Sequence, residues 1–347
     1  MNMDYKDIIQ QNLNRHVCPS WWCKYAFHFT DVSNAASILT SGQLYSRSQA
    51  LNLNVMSNDN ASRQVIDITD SEVISHVRFY FRPKTPTQYY NEGYKHPQLR
   101  FHDDTNANVP VPVFFLFDLE KLMSHPHVEF SELSQAGHGA KTFKGVEAFS
   151  RLKFEYIYNN AFDDFHETKR YRQAEILIPN YIDIDNYLSY ILCRNSIEQM
   201  TLLNLLERKP GGVFERYINR IRVCKKDVFF DNGIYITGCE FNNNSVYLSL
   251  SDSYACYQYN NREKSKRGLE QLNPIDVCVY MEWKDDSELV LNSARATIKV
   301  DVQNTKECHI RSLPVVAGAS KLGIKVFIEE KLMCYVIRSL RPSELLE

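Results

Sequence analysis

His76-Val77-Arg78-Phe79-Tyr80-Phe81-Arg82-Pro83-Lys84-Thr85-Pro86-Thr87-Gln88-Tyr89, running on to Asn91-Glu92-Gly93, and the distant Arg172-Gln173-Ala174-Glu175-Ile176-Leu177-Ile178 decide how this chain is read. Val77–Phe81 is rich in β-forming residues and reads as a strand. Pro83 and Pro86 stop it, because proline lacks the amide hydrogen that a ladder needs. The turn that follows packs Arg82, Lys84, Thr85, Thr87 and Gln88 into one short segment whose shape two prolines pre-set. The second run opens an apolar strand, Ala174–Ile178, that carries a single carboxylate. Strand alternation puts Gln173 and Glu175 on one face and Ala174 and Ile176 on the other. Three cations, Lys169, Arg170 and Arg172, stand just upstream.

Outward from these runs, the chain divides. Lys24–Phe29 reads as a short strand, and Asp31 as the N-cap of a helix over Val32–Ser41 that stops at Gly42. Val32, Ala35, Ile38 and Leu39 give that helix its apolar face. Leu44-Tyr45-Ser46 reads as a strand end, Asn52–Ser71 as a polar loop, Val111–Phe117 as a buried strand and Leu119–Met123 as a short helix. Tyr156–Glu167 reads as a loop, and Asp183–Leu206 as mostly helical. Lys209-Pro210-Gly211-Gly212 is the clearest linker. Beyond it lie β-prone segments at Val228–Leu250, Cys278–Trp283, Leu289–Val302 and Ile324–Leu340, with Arg262–Arg267 as an exposed loop between strands. The expectation is therefore an α+β domain over residues 1–210 and a β-rich domain, of sandwich type, over residues 211–347.

Composition narrows the classes. The chain has 347 residues, 44% of them hydrophobic and 24% charged, the latter close to the globular average of about 25%. A formal net charge of −2 argues against holding a duplex by bulk charge neutralisation. A local basic groove stays open, with candidates at Lys141/Lys144, Arg151/Lys153, Lys169/Arg170/Arg172 and Arg220/Arg222/Lys225/Lys226. Any one of these alone reads as a solvated face. The 9 cysteines show no C-x-x-C spacing, Met1–Asn14 is polar, and no apolar run approaches the roughly 20 residues of a membrane span. Reduced thiols, a cytoplasmic location and no membrane are expected. His16, Cys18, Cys23 and His28 fit no standard zinc spacing, so no metal is expected.

Three groups of residues carry chemistry. A carboxylate at the head of an apolar strand either points to water or is aimed into a cleft. In a cleft, Glu175 suits sugar chemistry. A glycosidic bond opens through an oxocarbenium-like state, and a carboxylate on the sugar hydroxyls tightens its hold as positive charge grows. No covalent enzyme intermediate is required. His28, between Phe27 and Phe29, is in isolation more often a core residue than a ligand; Thr30 adds a hydroxyl on the same strand face. The Arg82–Tyr89 turn reads equally as a rigid turn over core aromatics or as a binder of phosphates, an amide or a nucleic-acid backbone, with Tyr80, Tyr89 and Tyr90 able to stack on a base. Arg63, in the polar loop, is exposed by default.

Together, Phe27-His28-Phe29-Thr30, the helix ending at Gly42, Val77–Tyr89 and Arg172–Ile178 resemble the DarT family of ADP-ribosyltransferases. The resemblance spans Tyr25 to Asn180, about half the chain. It implies a split mixed β-sheet around an NAD cleft, with NAD as substrate and no metal. It also implies transfer of ADP-ribose to a base in single-stranded DNA, with release of nicotinamide. The family's setting implies a toxin of a toxin–antitoxin or phage-defence system, opposed by a macrodomain-type antitoxin. Carried over by position, Glu175 and Arg63 are catalytic. His28, Thr30, Arg63, Tyr80, Arg82, Lys84 and Tyr89 bind NAD. The segment from about Phe149 to Arg172 presents the target base, with Lys169, Arg170 and Arg172 on phosphates. Lys84 stands where many relatives carry Arg, so a bidentate contact becomes a point charge. The region after Pro210 has no counterpart. RNA or protein as acceptor, plain NAD hydrolysis and an inactive NAD- or nucleic-acid-binding module remain alternatives, and the base is thymine or guanine.

Overall fold

The computed structural model describes residues 3–13, 15–16, 18–56, 71–100, 108–135, 141–161, 166–224, 227–242 and 244–340. Nine strands fall in the first two thirds: β1 (Tyr25–Asp31), β2 (Gln43–Tyr45), β3 (His76–Tyr80), β4 (Pro112–Asp118), β5 (Glu129–Ser131), β6 (Glu175–Pro179), β7 (Tyr181–Asp183), β8 (Leu188–Cys193) and β9 (Ile221–Val223). Seven of them form one mixed sheet in the order β5-β6-β3-β1-β4-β8-β9, and β2 pairs with β7 apart from it. Neighbours run antiparallel except β8 and β9. The interior strand β4, Pro112-Val113-Phe114-Phe115-Leu116-Phe117-Asp118, is buried along almost its whole length. A strand covered on both faces needs a continuous apolar run, and that is what the sequence supplies.

The helix Val32–Ser41 forms as its caps dictate. The Asp31 side chain accepts from the Ser33 amide, and Gly42 closes the helix at φ 71°, a conformation a Cβ disfavours. In the turn after β3, the Thr85 hydroxyl caps a helix over Pro86–Asn91, with Pro86 in its first turn, where a missing amide hydrogen costs nothing. Asp183–Leu206 is helical at both ends, a 3-10 turn over Ile184–Asn186 and a helix over Ser196–Glu207 capped by Asn195, but β8 lies between them. The six-residue apolar run of β8 fits strand and helix equally by periodicity, and sheet pairing with β4 decides it.

The C-terminal part contains β10 (Ile236–Asn242), β11 (Ser245–Leu250), β12 (Ile275–Lys284), β13 (Val290–Val300), β14 (Glu307–Ile310), β15 (Lys321–Ile328) and β16 (Lys331–Ser339). They form two antiparallel sheets, β10-β11-β14 and β13-β12-β15-β16, whose inner faces share one apolar core around Val277, Val279, Trp283, Ile324 and Val326. Arg262–Arg267 is not a loop: it ends a helix over Tyr254–Arg267, closed by Gly268 at φ 64°. That helix buries Cys256, Tyr259, Asn260 and Glu263, an inward face too polar to announce itself as an apolar stripe.

Chain from beyond the Pro210–Gly212 linker still belongs to the first sheet, because β9 pairs with β8 and the first core runs on to Val228 and Phe229. The two parts then lock. Tyr94 and Ile234 form a β-bridge, and Gly93 and Gly233 approach so closely that a Cβ on Gly233 would stand 2.5 Å from the Glu92 carbonyl. The fully buried Glu92 accepts from the amides of Phe230 and Asp231, at 2.9 and 2.8 Å, and from Gln88 Nε2 at 2.6 Å. Among the described residues, no helix is long and apolar enough to cross a membrane.

Candidate active site

Glu175 opens β6 beside Tyr80 of β3 on one side and Ser131 of β5 on the other. Paired residues on antiparallel strands share a face, so all three side chains project together. Glu175 is fully buried. Arg78, two residues before Tyr80 on the same face, reaches diagonally across to it. Arg78 Nε donates to Glu175 Oε2 at 2.9 Å and Nη2 to Oε1 at 2.5 Å. Ser134 Oγ donates to Oε1 at 3.4 Å. The bidentate fork fixes the plane of the carboxylate, as charge-assisted pairs do. Burial works against the Arg78 charge, but Glu175 and Tyr80 more than offset it and raise its pKa.

β1 and β3 are the place where the sheet divides. Their ladder is a single pair, Phe27 with Tyr80, whereas β1 and β4 pair over seven residues. Next to that pair His28 Nδ1 hydrogen-bonds the Arg78 carbonyl at 3.1 Å. Arg78 therefore joins the two predicted site residues, Glu175 through its guanidinium and His28 through its backbone. The His28 ring lies 6.1 Å from Phe79 and 6.4 Å from Phe115, and burial lowers its pKa. Thr30, two residues on and nearly buried, shares its strand face by alternation. Burial first, then the Glu175 charge, raises the pKa of the Tyr80 phenol, which has the Thr87 hydroxyl as a hydrogen-bond partner. Tyr80, Arg78 and Glu175 thus form one side-chain cluster, and His28 is tied to it through the Arg78 backbone, its ring on the strand face of Phe79 and Phe115. Arg78 went unremarked in the sequence, where an arginine in a strand reads as a solvated side chain.

Other expected site residues stand elsewhere. Arg82 is buried and spends its donors on structure: on the carbonyls of Pro83, Ile157 and Asn159 and on the Asn160 side chain. Its guanidinium packs 5.0 Å from the Trp22 ring centre. It clamps the 157–160 segment and has no fork left for a phosphate. Lys84 occupies a left-handed turn position at φ 59°, and its amide donates to Gln88 Oε1 at 2.6 Å. Tyr89 turns away from Glu175 and into the C-terminal part, with Phe230 5.1 Å and Tyr259 5.7 Å from its ring and Arg262 over its face at 5.2 Å. Arg63 lies outside the described residues.

The Phe149–Arg172 segment is largely packed. Phe149, Phe154 and Tyr158 are core residues, so they are not free to stack on a base. Among its described residues the exposed aromatic is Tyr156, stacked on Tyr171 at 5.3 Å, with Lys153 Nζ 2.7 Å from the Tyr171 hydroxyl. Lys169 and Arg170 are exposed on the helix His166–Tyr171, and Arg172 reaches the Ala161 carbonyl at 2.7 Å. Of the other basic candidates, Lys144 pairs with Glu129 and Arg151 with Glu147. Near the N-terminus, His16 hydrogen-bonds Asn12, and the free Cys23 thiol donates a hydrogen bond to the free thiol of Cys18.

The donor set fits a dinucleotide that is opened at a ribose. A buried carboxylate gives ribose hydroxyls an acceptor that they share with Arg78, and a phenol and an imidazole add hydrogen-bonding groups. Residues 27–229 match the family model of DarT, the ssDNA thymidine ADP-ribosyltransferase. The match covers more than half of the chain, which makes the protein an NAD-dependent ADP-ribosyltransferase by class. The chain belongs to the DarT family. Solved structures it resembles include Thermus sp. 2.9 DarT in complex with ADP-ribosylated ssDNA (17% identity, TM-score 0.48, covering 60% of this chain and 96% of that one). Others are the same Thermus protein with NAD+ (18%, 0.45, 60% and 98%) and Thermosipho africanus DarTG with ADP-ribose (15%, 0.45, 60% and 51%). No curated protein matches the sequence.

Two outcomes follow from this geometry. Arg78→Ala leaves a buried carboxylate without its fork, and NAD-dependent transfer falls by about 10- to 100-fold, in line with the loss of a positioned charge contact. Arg78→Lys restores only part, because an ammonium keeps the charge and loses the bidentate grip; kcat for both variants checks this. Burial lowers the His28 pKa below that of the unfolded chain. Below a pH of about 6.5 the unfolded chain binds more protons, so this site withdraws stability as pH falls. His28→Gln removes that component, and urea unfolding of both proteins at pH 5 and pH 7.5 measures it.

Proposed function

We propose that this protein transfers ADP-ribose from NAD to thymidine in single-stranded DNA, with Glu175 as the catalytic carboxylate. The observation that carries the reading is the fully buried Glu175, oriented by Arg78 at the point where β1 and β3 part. NAD supplies a glycosidic bond with nicotinamide as the leaving group. Glu175 hydrogen-bonds the ribose hydroxyls next to that bond, and its negative charge offsets the positive charge that develops on the sugar. Arg78 now occupies both carboxylate oxygens, so the ribose takes one of them and Arg78 keeps the other. Its side chain is 27% exposed, which leaves room for that shift. Tyr80 and His28 hold the dinucleotide as neutral partners, Thr30 adds a hydroxyl, and Lys84 offers a point charge to a phosphate. Arg63 keeps its proposed catalytic and NAD role on family position alone.

Thymidine as acceptor rests on the matched family. A base in a duplex is stacked and paired at its reactive edge, so an unpaired strand is the substrate a carboxylate this deep requires. Lys169 and Arg170, exposed just ahead of β6, sit where strand phosphates pass. We place the catalytic unit at residues up to Phe229, where the first core ends, and the β-rich unit from Gly233 onward. The biological setting we propose is a toxin held by a macrodomain-type antitoxin that removes the modification, in a toxin–antitoxin or phage-defence role. Incubation with labelled NAD and separate pools of single-stranded DNA, duplex DNA, RNA and protein tests the acceptor. Label in single-stranded DNA alone supports it, and label in RNA or protein with DNA blank overturns it. Growth arrest on expression of the wild type, absent for a Glu175 variant, tests the toxin role.

A further inference from the structure

The helix Tyr254–Arg267 lies in the part of the chain that the family does not cover. Its buried side is Cys256, Tyr259, Asn260 and Glu263. The opposite stripe, at the same helical spacing, carries Tyr254 and Tyr257, 71% and 64% exposed, and then Asn261 and Lys264, while Arg262 and Lys266 flank it. The two tyrosine rings are nearly parallel, 6.4 Å apart with 21° between their planes, so they present two flat faces to solvent. The helix holds four cations (Arg262, Lys264, Lys266, Arg267) and one carboxylate, Glu263, a net +3 on a chain of net charge −2. That carboxylate is tucked under Arg262 and Lys266, at 2.9 and 2.8 Å, so nothing acidic faces outward along the stripe.

A flank of this helix meets the turn that follows β3. Arg262 lies over the Tyr89 ring. Tyr89 sits on the helix Pro86–Asn91, whose Thr87 bonds the Tyr80 phenol, and Tyr80 stands directly across from Glu175. That path of contacts leaves one short helix between the flank of Tyr254–Arg267 and the Tyr80–Glu175 pair.

We propose that the face of Tyr254, Tyr257 and Lys264 is a second contact surface for single-stranded DNA and holds nucleotides that run on from the base being modified; this rests on the acceptor reading above. Exposed aromatic faces beside cations are the chemistry of single-strand binding: rings stack on unpaired bases whatever the sequence, and cations meet phosphates. A duplex offers the rings no base faces. An acidic peptide would use the cations and leave the two tyrosines without purpose.

The test uses the full chain and two oligonucleotides with one thymidine each, a short one that reaches only the catalytic pocket and a long one of about 20 nucleotides. For Tyr254→Ala/Tyr257→Ala, the ratio of kcat/KM on the long strand to that on the short one falls by at least about tenfold, equivalent to about 1.4 kcal/mol. The melting temperature stays at the wild-type value, because both residues are on the surface. An unchanged ratio overturns the proposal. If the wild type modifies no DNA of either length, the acceptor reading fails instead. The surface is then decided by fluorescence anisotropy of a labelled single strand on the Glu175→Gln background: equal binding with and without the tyrosines rejects it, and binding about tenfold weaker without them upholds it.

Discussion

Glu175→Gln lowers ADP-ribosyl transfer by about 10²- to 10³-fold and leaves the fold in place. The substitution keeps the volume of a side chain with no solvent exposure, so it opens no cavity. The carboxamide oxygen still accepts from the Arg78 guanidinium, so the diagonal contact between β3 and β6 survives in weakened form. Losing the charge from that hydrogen-bonded pair costs about 1–3 kcal/mol of stability, short of what unfolds a domain of this size. What disappears is the negative charge next to the ribose at the moment its bond to nicotinamide opens. An interaction that strengthens only in the transition state shows in kcat far more than in KM. Loss of rate with near-normal NAD affinity is therefore the expected pattern. A variant that transfers as fast as the wild type removes Glu175 from the mechanism.

Arg194→Met is the substitution expected to cost most stability, about 3–5 kcal/mol. Arg194 follows β8 and is almost wholly buried. Its guanidinium bonds Glu198, lies 3.7 Å from Glu92 Oε1, donates to the Pro110 carbonyl at 3.3 Å and stacks 3.7 Å from the centre of the Tyr235 ring. Two buried carboxylates thus share one cation. Burial pushes the Glu198 carboxyl up to about 7 against the pull of Arg194. Methionine fills the space, leaves Glu198 without its cation and takes the guanidinium from beside Glu92. Glu92 is the residue that ties the C-terminal part to the catalytic sheet through the Phe230 and Asp231 amides, so the loss extends to the junction. Thermal unfolding of the variant shows a large drop in midpoint, and limited proteolysis shows earlier cleavage near residues 230–235. A midpoint within a degree or two of wild type contradicts the role assigned to Arg194.

Local chemistry made part of this molecule legible from its sequence. Asp31 and Gly42 mark the two ends of a helix because capping is a property of neighbouring residues. Glu175 stood out because a lone carboxylate is costly in an apolar strand unless it has work and a partner. The partner was not legible: Arg78 is 97 residues away in sequence, and only the register of β3 on β6 brings it to the carboxylate. Arg82 misled for the converse reason. A guanidinium in a proline-rich turn looks available, yet Trp22 and the carbonyls of a distant segment enclose it. Tyr89 likewise found its neighbours beyond residue 229, in a part of the chain whose packing on the turn no local pattern announces. The helix Tyr254–Arg267 passed for a loop because its buried positions include Asn260 and Glu263, so the usual apolar periodicity is missing.

Mass spectrometry of single-stranded oligonucleotides after incubation with NAD tests the central claim most directly, with one strand containing a single thymidine and a matched strand containing none. The account predicts one ADP-ribose on the thymidine strand with the wild-type protein, none on the matched strand, and none on either with Glu175→Gln. Unmodified DNA with the wild type, or equal modification by the Glu175→Gln protein, contradicts it.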